Sequence, residues 1–222
     1  MMLLQVDTTM VGQNAAETIS LFELLTKGGW FMIPIFLLSM VAVFLFVERL
    51  IAISKAGKID DNFIRTVKDY MIGGNREAAI SVCQQEDTPT ARMIEKGLKR
   101  LGKPIENIEA AIENVGQLEL LQLEKRLAII ATIAGVAPMI GFLGTVTGMI
   151  RAFFNLSKAG TNIDPGLLAG GIYEAMVTTA AGLAVGIVAY LFYNILVGMV
   201  ERVVYKMQAT STAFMDVLQE PV

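Results

Sequence analysis

The stretch that decides the fold of this chain is residues 170–186, which read GGIYEAMVTTAAGLAVG. Its one charged side chain, Glu174, is followed by no other charged residue until Glu201. An uncharged run of this length is typical of a membrane-spanning helix. A carboxylate inside hydrocarbon costs about 2.5 kcal/mol or more unless it faces protein or water. The stretch therefore predicts a transmembrane helix with a carboxylate at its mouth, and the question becomes what Glu174 faces.

Two further runs without charge accompany it. They cover residues 28–47 and 127–150, beside the run 175–200, and each has about the 20 residues that a membrane helix needs. Mean hydropathy is +0.57 and 54% of the 222 residues are hydrophobic, which is too apolar for an ordinary soluble domain. The sequence thus predicts an all-α protein with three transmembrane helices in a lipid bilayer, and it excludes a soluble enzyme.

The basic residues predict the orientation in the membrane. Residues 48–126 hold 13 of the 18 Lys and Arg side chains, whereas residues 1–27 hold only Lys27. Because cytoplasmic segments near membrane helices are enriched in Lys and Arg, we expect the N-terminus outside and the C-terminus inside. The predicted division is an outer segment 1–27, a first span 28–51, a cytoplasmic helical domain 52–126, a second span 127–151, an outer link 152–170, a third span 171–200 and an inner tail 201–222.

The segments outside the membrane are predicted to be helical. Residues 17–27 form an amphipathic patch, interpreted either as a short helix on the outer membrane surface or as a docking site for a partner. In the helical domain, Asn75 and Thr88 followed by Pro89 are typical helix starts. Nothing interrupts the apolar pattern after Pro104, which predicts one helix that runs straight into the second span.

Reactive side chains are scarce. Histidine is absent, Cys83 is the single cysteine, and the sequence has no metal-ligand cluster, phosphate-binding glycine pattern or nucleophile–base pair. We therefore predict no catalytic residue, no cofactor and no metal. The net charge of −3 argues against nucleic acid as a partner.

Small and hydroxylated residues occupy one face of each of the last two predicted spans. In the third span, Glu174, Thr178, Gly182 and Gly186 recur at intervals of four. Helices in lipid associate through small residues that let their backbones approach, so close packing is the plain interpretation of such faces. The residues predicted to pack are Pro138, Gly141, Gly144, Gly148, Gly182 and Gly186.

The oxygen-bearing side chains on these faces permit a second interpretation. Glu174, Thr178, Thr179 and Thr145 can line one wettable surface that passes protons or solvates the charge of a partner. The alternatives are threonines that only bond their own backbone, and a Glu174 that sits just outside the hydrocarbon. Because three spans are few for a pore, we predict a ring oligomer built around this face.

Two segments resemble the ExbB/TolQ/MotA family of proton-channel and motor stator subunits, ExbB most closely. They are residues 137–149, APMIGFLGTVTGM, and residues 170–183, GGIYEAMVTTAAGL. The resemblance implies a homopentamer in the bacterial inner membrane whose second and third spans line a central lumen. It also implies two single-span ExbD-like helices in that lumen, with an aspartate that carries protons, and a TonB-like protein that passes the work to outer-membrane receptors.

The resemblance also assigns residues to the lumen. It places lumen threonines at Thr145 and Thr179 and the family's glutamate at Glu174. Thr178 departs from the alanine that is usual there, and Thr147 from a usually bulky residue. The function implied is a motor subunit that uses the proton-motive force to energise TonB-dependent transport. Two alternatives stay open: a TolQ-like subunit of the Tol envelope motor, and a membrane scaffold that oligomerises through its glycine faces and conducts nothing.

Overall fold

The computed structural model describes residues 28–58, 62–158 and 165–219, and in these ranges every regular element is a helix. The predicted all-α architecture is thereby confirmed. The amphipathic patch predicted within residues 1–27 lies outside the described residues. The helices are α1 (Met32–Ala56), α2 (Phe63–Ile72), α3 (Arg76–Glu86), α4 (Pro89–Leu98), α5 (Ile105–Glu124), α6 (Leu127–Lys158) and α7 (Pro165–Gln219).

Helices α1, α6 and α7 form a three-helix unit. Three helical stretches of the described chain, containing these helices, are long and apolar enough to cross a membrane. The most extensive contact in the molecule joins α6 to α7, and α1 packs mainly on α7. Large apolar side chains cover the outside of the unit, among them Phe36, Phe44, Phe142 and Leu191. A surface of this kind is unfavourable in water and suits lipid or neighbouring chains.

Helices α2 to α5 form a second, helical unit, and local sequence explains where two of them begin. The Asn75 side chain accepts a hydrogen bond from the Ala78 backbone N–H at the start of α3. The Thr88 hydroxyl accepts from the Ala91 N–H at the start of α4, where Pro89 occupies the first turn. Both predicted helix starts are confirmed, because each side chain satisfies a backbone donor that the first turn leaves open.

The C-terminal half of α7 completes this helical domain. Phe214 is only 1% exposed and packs in the core with residues of α4 and α5. A Cβ placed on Gly97 would lie 2.7 Å from Ile112 Cδ1 and 2.8 Å from Phe214 Cε1, so α4 meets both other helices at a glycine. The predicted inner tail 201–222 is thus helical through Gln219 and continuous with the third span.

The prediction of one unbroken helix from Pro104 into the second span is wrong. Helix α5 ends at Glu124, Lys125 is extended, and Arg126 has a left-handed φ of +69°. Such a conformation costs an L-residue about 1–2 kcal/mol. Here the Arg126 guanidinium donates to both carboxylate oxygens of Glu48 on α1, each at 2.5 Å, an exposed ion pair that offsets only part of that cost. The partner lies 78 residues away, so the local pattern gave no sign of the break.

Cys83 is buried in the core of the helical domain, and burial raises the pKa of its thiol to about 12. Because thiolate is the reactive form, we expect native protein at pH 8 to resist a maleimide reagent and to react only when the domain unfolds. Mass spectrometry after labelling, with and without denaturant, checks this. Rapid stoichiometric labelling of folded protein would contradict the packing of α3 described here.

Candidate functional site

The contact between α6 and α7 is made by backbone against backbone. A Cβ placed on Gly182 would lie 2.6 Å from the Ala137 carbonyl oxygen and 2.9 Å from the Gly141 Cα. One placed on Gly186 would meet the ring of Pro138, with Pro138 Cδ at 2.7 Å. Real Cβ atoms do not approach other atoms this closely, so the glycines of α7 are what allow the two helices to touch.

The glycines of α6 meet α7 in the same way. A Cβ on Gly144 would lie 2.5 Å from the Thr178 methyl carbon, and one on Gly148 would lie 2.9 Å from the Ala175 Cβ. A Cβ on Gly141 would stand 3.1 Å from the Thr178 carbonyl oxygen. The structure therefore places all six residues for which packing was predicted at this one contact.

Thr145 and Thr179 face each other across the contact. Their hydroxyl groups share a hydrogen bond, and the Thr179 hydroxyl donates to the Gly141 carbonyl at 2.9 Å. With that donation made, the Thr179 oxygen accepts from Thr145, which gives a short chain of hydroxyls leading from α6 to α7. Both side chains are half-buried. A hydroxyl has one donor and two acceptor sites, so each group keeps capacity for a further partner at the edge of the contact.

Thr178 is turned differently: its methyl group packs on Gly144 of α6, and its hydroxyl faces the residues just before α1. It is 2% exposed, and its hydroxyl lies 2.9 Å from the Gly28 carbonyl and 2.8 Å from the Glu174 carbonyl. These two carbonyl oxygens share the single O–H donor of Thr178, and the side chain has almost no surface exposed to solvent. The structure therefore does not bring Thr178 together with the pair of Thr145 and Thr179.

Glu174 is half-buried and lies against Gly29, just before α1. A Cβ placed on Gly29 would overlap a Glu174 carboxylate oxygen and lie 2.9 Å from the carboxyl carbon, Cδ. Gly29 has a left-handed φ of +65°, which suits glycine. The carboxylate thus sits at the end of the three-helix unit that is distant from the helical domain. Sequence reasoning missed Gly29 because its partner is far along the chain; the only signal was a glycine just before an apolar run.

Replacing Gly29 with alanine tests this contact. The change imposes a left-handed φ on a residue with a Cβ and also displaces the Glu174 carboxylate, so we expect a lower unfolding midpoint in detergent. Gly74→Ala is the matched control, because Gly74 has a similar φ of +70° and a Cβ there would meet nothing within 4 Å.

The difference in unfolding midpoint between Gly29→Ala and Gly74→Ala reports on the contact with Glu174 alone. It should shrink when Glu174 is also replaced by alanine, since the overlapping group is then gone. Equal midpoints for Gly29→Ala and Gly74→Ala would show that Glu174 does not pack there.

The comparisons with known proteins bear directly on this site. A model of the MotA/TolQ/ExbB proton channel family matches residues 85–209, more than half of the chain, including all of α6 and most of α7. The chain belongs to this family. Its members are transport and proton-channel subunits, and the family is not a known enzyme family. Among the described residues, no three acidic or cysteine side chains gather as a metal site would require.

Individual relatives within the family carry ExbB and TolQ names. A Synechocystis protein named "Putative biopolymer transport protein ExbB-like 1" is 32% identical over 82% of this chain and 73% of its own length. Biopolymer transport protein ExbB of Aquifex aeolicus is 38% identical over 47% of this chain and 66% of its own length. Tol-Pal system protein TolQ of Haemophilus influenzae is 44% identical over 34% of this chain and 33% of its own length.

Proposed function

We propose that this chain is a subunit of an inner-membrane motor driven by the proton-motive force. With ExbD-like single-span helices it forms a proton path that energises TonB-dependent transport. The observation that carries the proposal is the half-buried pair of Thr145 and Thr179, which joins α6 to α7 inside the part of the chain that the family model matches.

The proton carrier in this proposal belongs to the partner. Residues 127–150 and 175–200 contain no ionisable carboxylate, lysine or arginine, so α6 and α7 cannot hold a proton on a side chain of ordinary acidity within the membrane. A partner carboxylate that is ionised in the lumen is costly unless it is solvated. Both hydroxyl protons are used within the contact, so the pair accepts from the protonated form as it stands and donates to the ionised form when one of those bonds is exchanged for a bond to the carboxylate.

In a ring of equivalent subunits, this solvation of the partner carboxylate is coupled to movement of the partner helices relative to the ring. With five threonine pairs and two partner helices, the partner carboxylates cannot all be satisfied at once. A carboxylate takes up a proton at one pair and releases it at the next, and the ring and the partner helices move relative to each other. Each proton that crosses 100 mV supplies about 2.3 kcal/mol, which is enough to shift a helix between alternative packings.

The proposed placement is the inner membrane, with the N-terminus periplasmic and the C-terminus cytoplasmic. It rests on the charge distribution: 13 of the 18 basic residues fall between the first two spans. Basic residues are retained on the cytoplasmic side. The helical domain and the C-terminal half of α7 then lie together in the cytoplasm, which agrees with their shared core.

Co-expression with a single-span protein that carries a membrane aspartate tests the function. Native mass spectrometry should find five copies of this chain with the partner retained. Vesicles that contain the complex should acidify when a gradient is imposed, and those without the partner should not. A stable monomer, or a complex that passes no protons, would refute the motor and leave the non-conducting scaffold.

A TolQ-type role is the second candidate, and the match to the Haemophilus influenzae TolQ favours it. Genetic rescue distinguishes the ExbB-type role from the TolQ-type role. An ExbB-type subunit restores TonB-dependent uptake in a bacterium that lacks its own ExbB, whereas a TolQ-type subunit restores envelope integrity in one that lacks TolQ.

A further inference from the structure

A charged cleft of about 570 Å³ opens where the membrane unit joins the helical domain. Its walls are the last turns of α1, the start of α4 and the last turns of α5. Four basic side chains line it against two acidic ones: Arg49, Lys55, Arg92 and Lys125 against Asp87 and Glu119. The proposed proton path uses none of them.

Arg92 pairs with both carboxylates of the cleft, and these three side chains together carry one net negative charge, against the three positive charges of Arg49, Lys55 and Lys125. Arg92 donates to both oxygens of Glu119, each at 2.7 Å, and to the Asp87 carboxylate at 2.7 Å. These carboxylates, Glu119 first, raise the pKa of Arg92. Lys55 and Lys125 form no ion pair in the described ranges. The cleft therefore keeps uncompensated positive charge.

Arg49 adds a donor that lacks an acceptor. Its Nη2 donates to Glu48 at 3.0 Å, and its Nη1 lies 3.4 Å from the Gln122 carbonyl. Its Nε is buried and has no hydrogen-bond partner among the described residues. A buried donor left in this state costs about 1–3 kcal/mol. Arg49 lines the cleft, so an anion bound there that draws the guanidinium outward would give this group an acceptor.

The position of the cleft indicates where the anion comes from. The apolar run of α1 ends at Glu48 and that of α6 begins after Arg126, and these two residues pair beside the cleft. Leu118 and Leu121 of α5 are 61% and 65% exposed. Leu118 lies one helical turn before Gln122 and Leu121 lies one turn before Lys125, and both Gln122 and Lys125 line the cleft. A cationic cleft bordered by exposed leucines at the membrane surface matches a phospholipid headgroup with its adjoining acyl chains.

We propose that this cleft binds the phosphate of an anionic phospholipid from the leaflet on the side of the helical domain. Lys55 and Lys125 supply the charge, Arg49 supplies the unpaired donor, and the exposed leucines border the acyl region. A bound headgroup would tie α1 to the end of α5 beside the break at Arg126. The chemistry recognised is a phosphate anion, and the apolar border selects the lipid over a soluble phosphate compound.

The test uses the full chain, purified in detergent in its assembled form. Phosphatidylglycerol is titrated in, and binding is followed by native mass spectrometry. The variant is Lys55→Gln with Lys125→Gln, since neither side chain forms an ion pair that holds the described fold. We expect affinity to fall about tenfold or more, because a lysine near an anionic lipid surface contributes on the order of 1 kcal/mol. Lys96→Gln with Lys103→Gln makes the same charge change on exposed lysines of the same domain that do not line the cleft, and should stay within about twofold of wild type.

Two further ligands distinguish the possible sources of the phosphate. Zwitterionic phosphatidylcholine should bind weakly to all variants. Soluble glycerol phosphate should neither bind at comparable concentration nor displace the lipid, and if it did both, the ligand would be a soluble phosphate compound. Equal losses in the cleft variant and the Lys96/Lys103 variant would overturn the site, because the attraction would then be general to the surface.

Discussion

Gly182→Ala is expected to lower the unfolding midpoint of the protein sharply. The added Cβ would lie 2.6 Å from the Ala137 carbonyl oxygen and 2.9 Å from the Gly141 Cα, and both are backbone atoms that cannot rotate away. The helices α6 and α7 must separate by several tenths of an ångström along the largest contact in the molecule. Overpacking of this kind costs about 1–3 kcal/mol. Thermal or denaturant unfolding in detergent measures it.

Gly198→Ala is the matched control on the same helix. A Cβ there meets nothing within 4 Å, so the substitution brings only the helix propensity of alanine, which is worth up to about 1 kcal/mol in the stabilising direction. The two variants therefore move in opposite directions although the chemical change is identical. If Gly182→Ala were as stable as Gly198→Ala, the close approach of α6 and α7 would be wrong.

The separation of α6 and α7 in Gly182→Ala should impair proton transfer even in protein that still folds. Thr179 donates to the carbonyl of Gly141, and Gly141 is also the residue against which Gly182 packs. The hydroxyl chain and the glycine contact thus share one backbone position. A Gly182→Ala protein that still assembles is expected to have lost the bridge from Thr145 to Thr179, so the small residues serve the polar pair as well as the packing.

Local periodicity explains which parts of the fold and site could be predicted from the sequence. Spacings of three and four identify a helix face from neighbouring residues alone, so the faces containing Gly141 and Gly182 were recognisable, and Thr145 and Thr179 with them. Caps such as Thr88 are local for the same reason. These features need no knowledge of the tertiary structure.

Features that depend on distant partners could not be predicted in this way. The break at Arg126 depends on Glu48, and no glycine or proline marks it. The surroundings of Glu174 depend on Gly29, and the burial of Thr178 depends on the Gly28 carbonyl, 150 residues away. Thr178 and Thr179 are consecutive and lie about 100° apart around α7, so the sequence shows that they point in different directions but not that the Thr178 hydroxyl meets the chain before α1 while Thr179 meets Thr145.

Thr179→Val and Thr145→Val are expected to abolish most proton flux while leaving the assembly intact. Valine keeps the branched shape of threonine and removes the hydroxyl, so packing between α6 and α7 is retained. A hydrogen bond to a charged group is worth about 1.5–3 kcal/mol. If the hydroxyl solvates the partner carboxylate during transfer, its loss slows flux about ten- to a hundredfold. Flux is measured in vesicles that contain the complex with its single-span partner.

Two matched variants separate this role from packing. Thr179→Ser restores the hydroxyl without the methyl group and should recover most of the flux. Thr132→Val removes an exposed hydroxyl of α6 that donates only to the carbonyl of Ala128 in its own helix, at 2.8 Å, and should leave flux unchanged. Wild-type flux in both Thr145→Val and Thr179→Val would assign the pair to packing. A loss shared equally by Thr132→Val would attribute the effect to general damage of α6, because that hydroxyl lies outside the contact with α7.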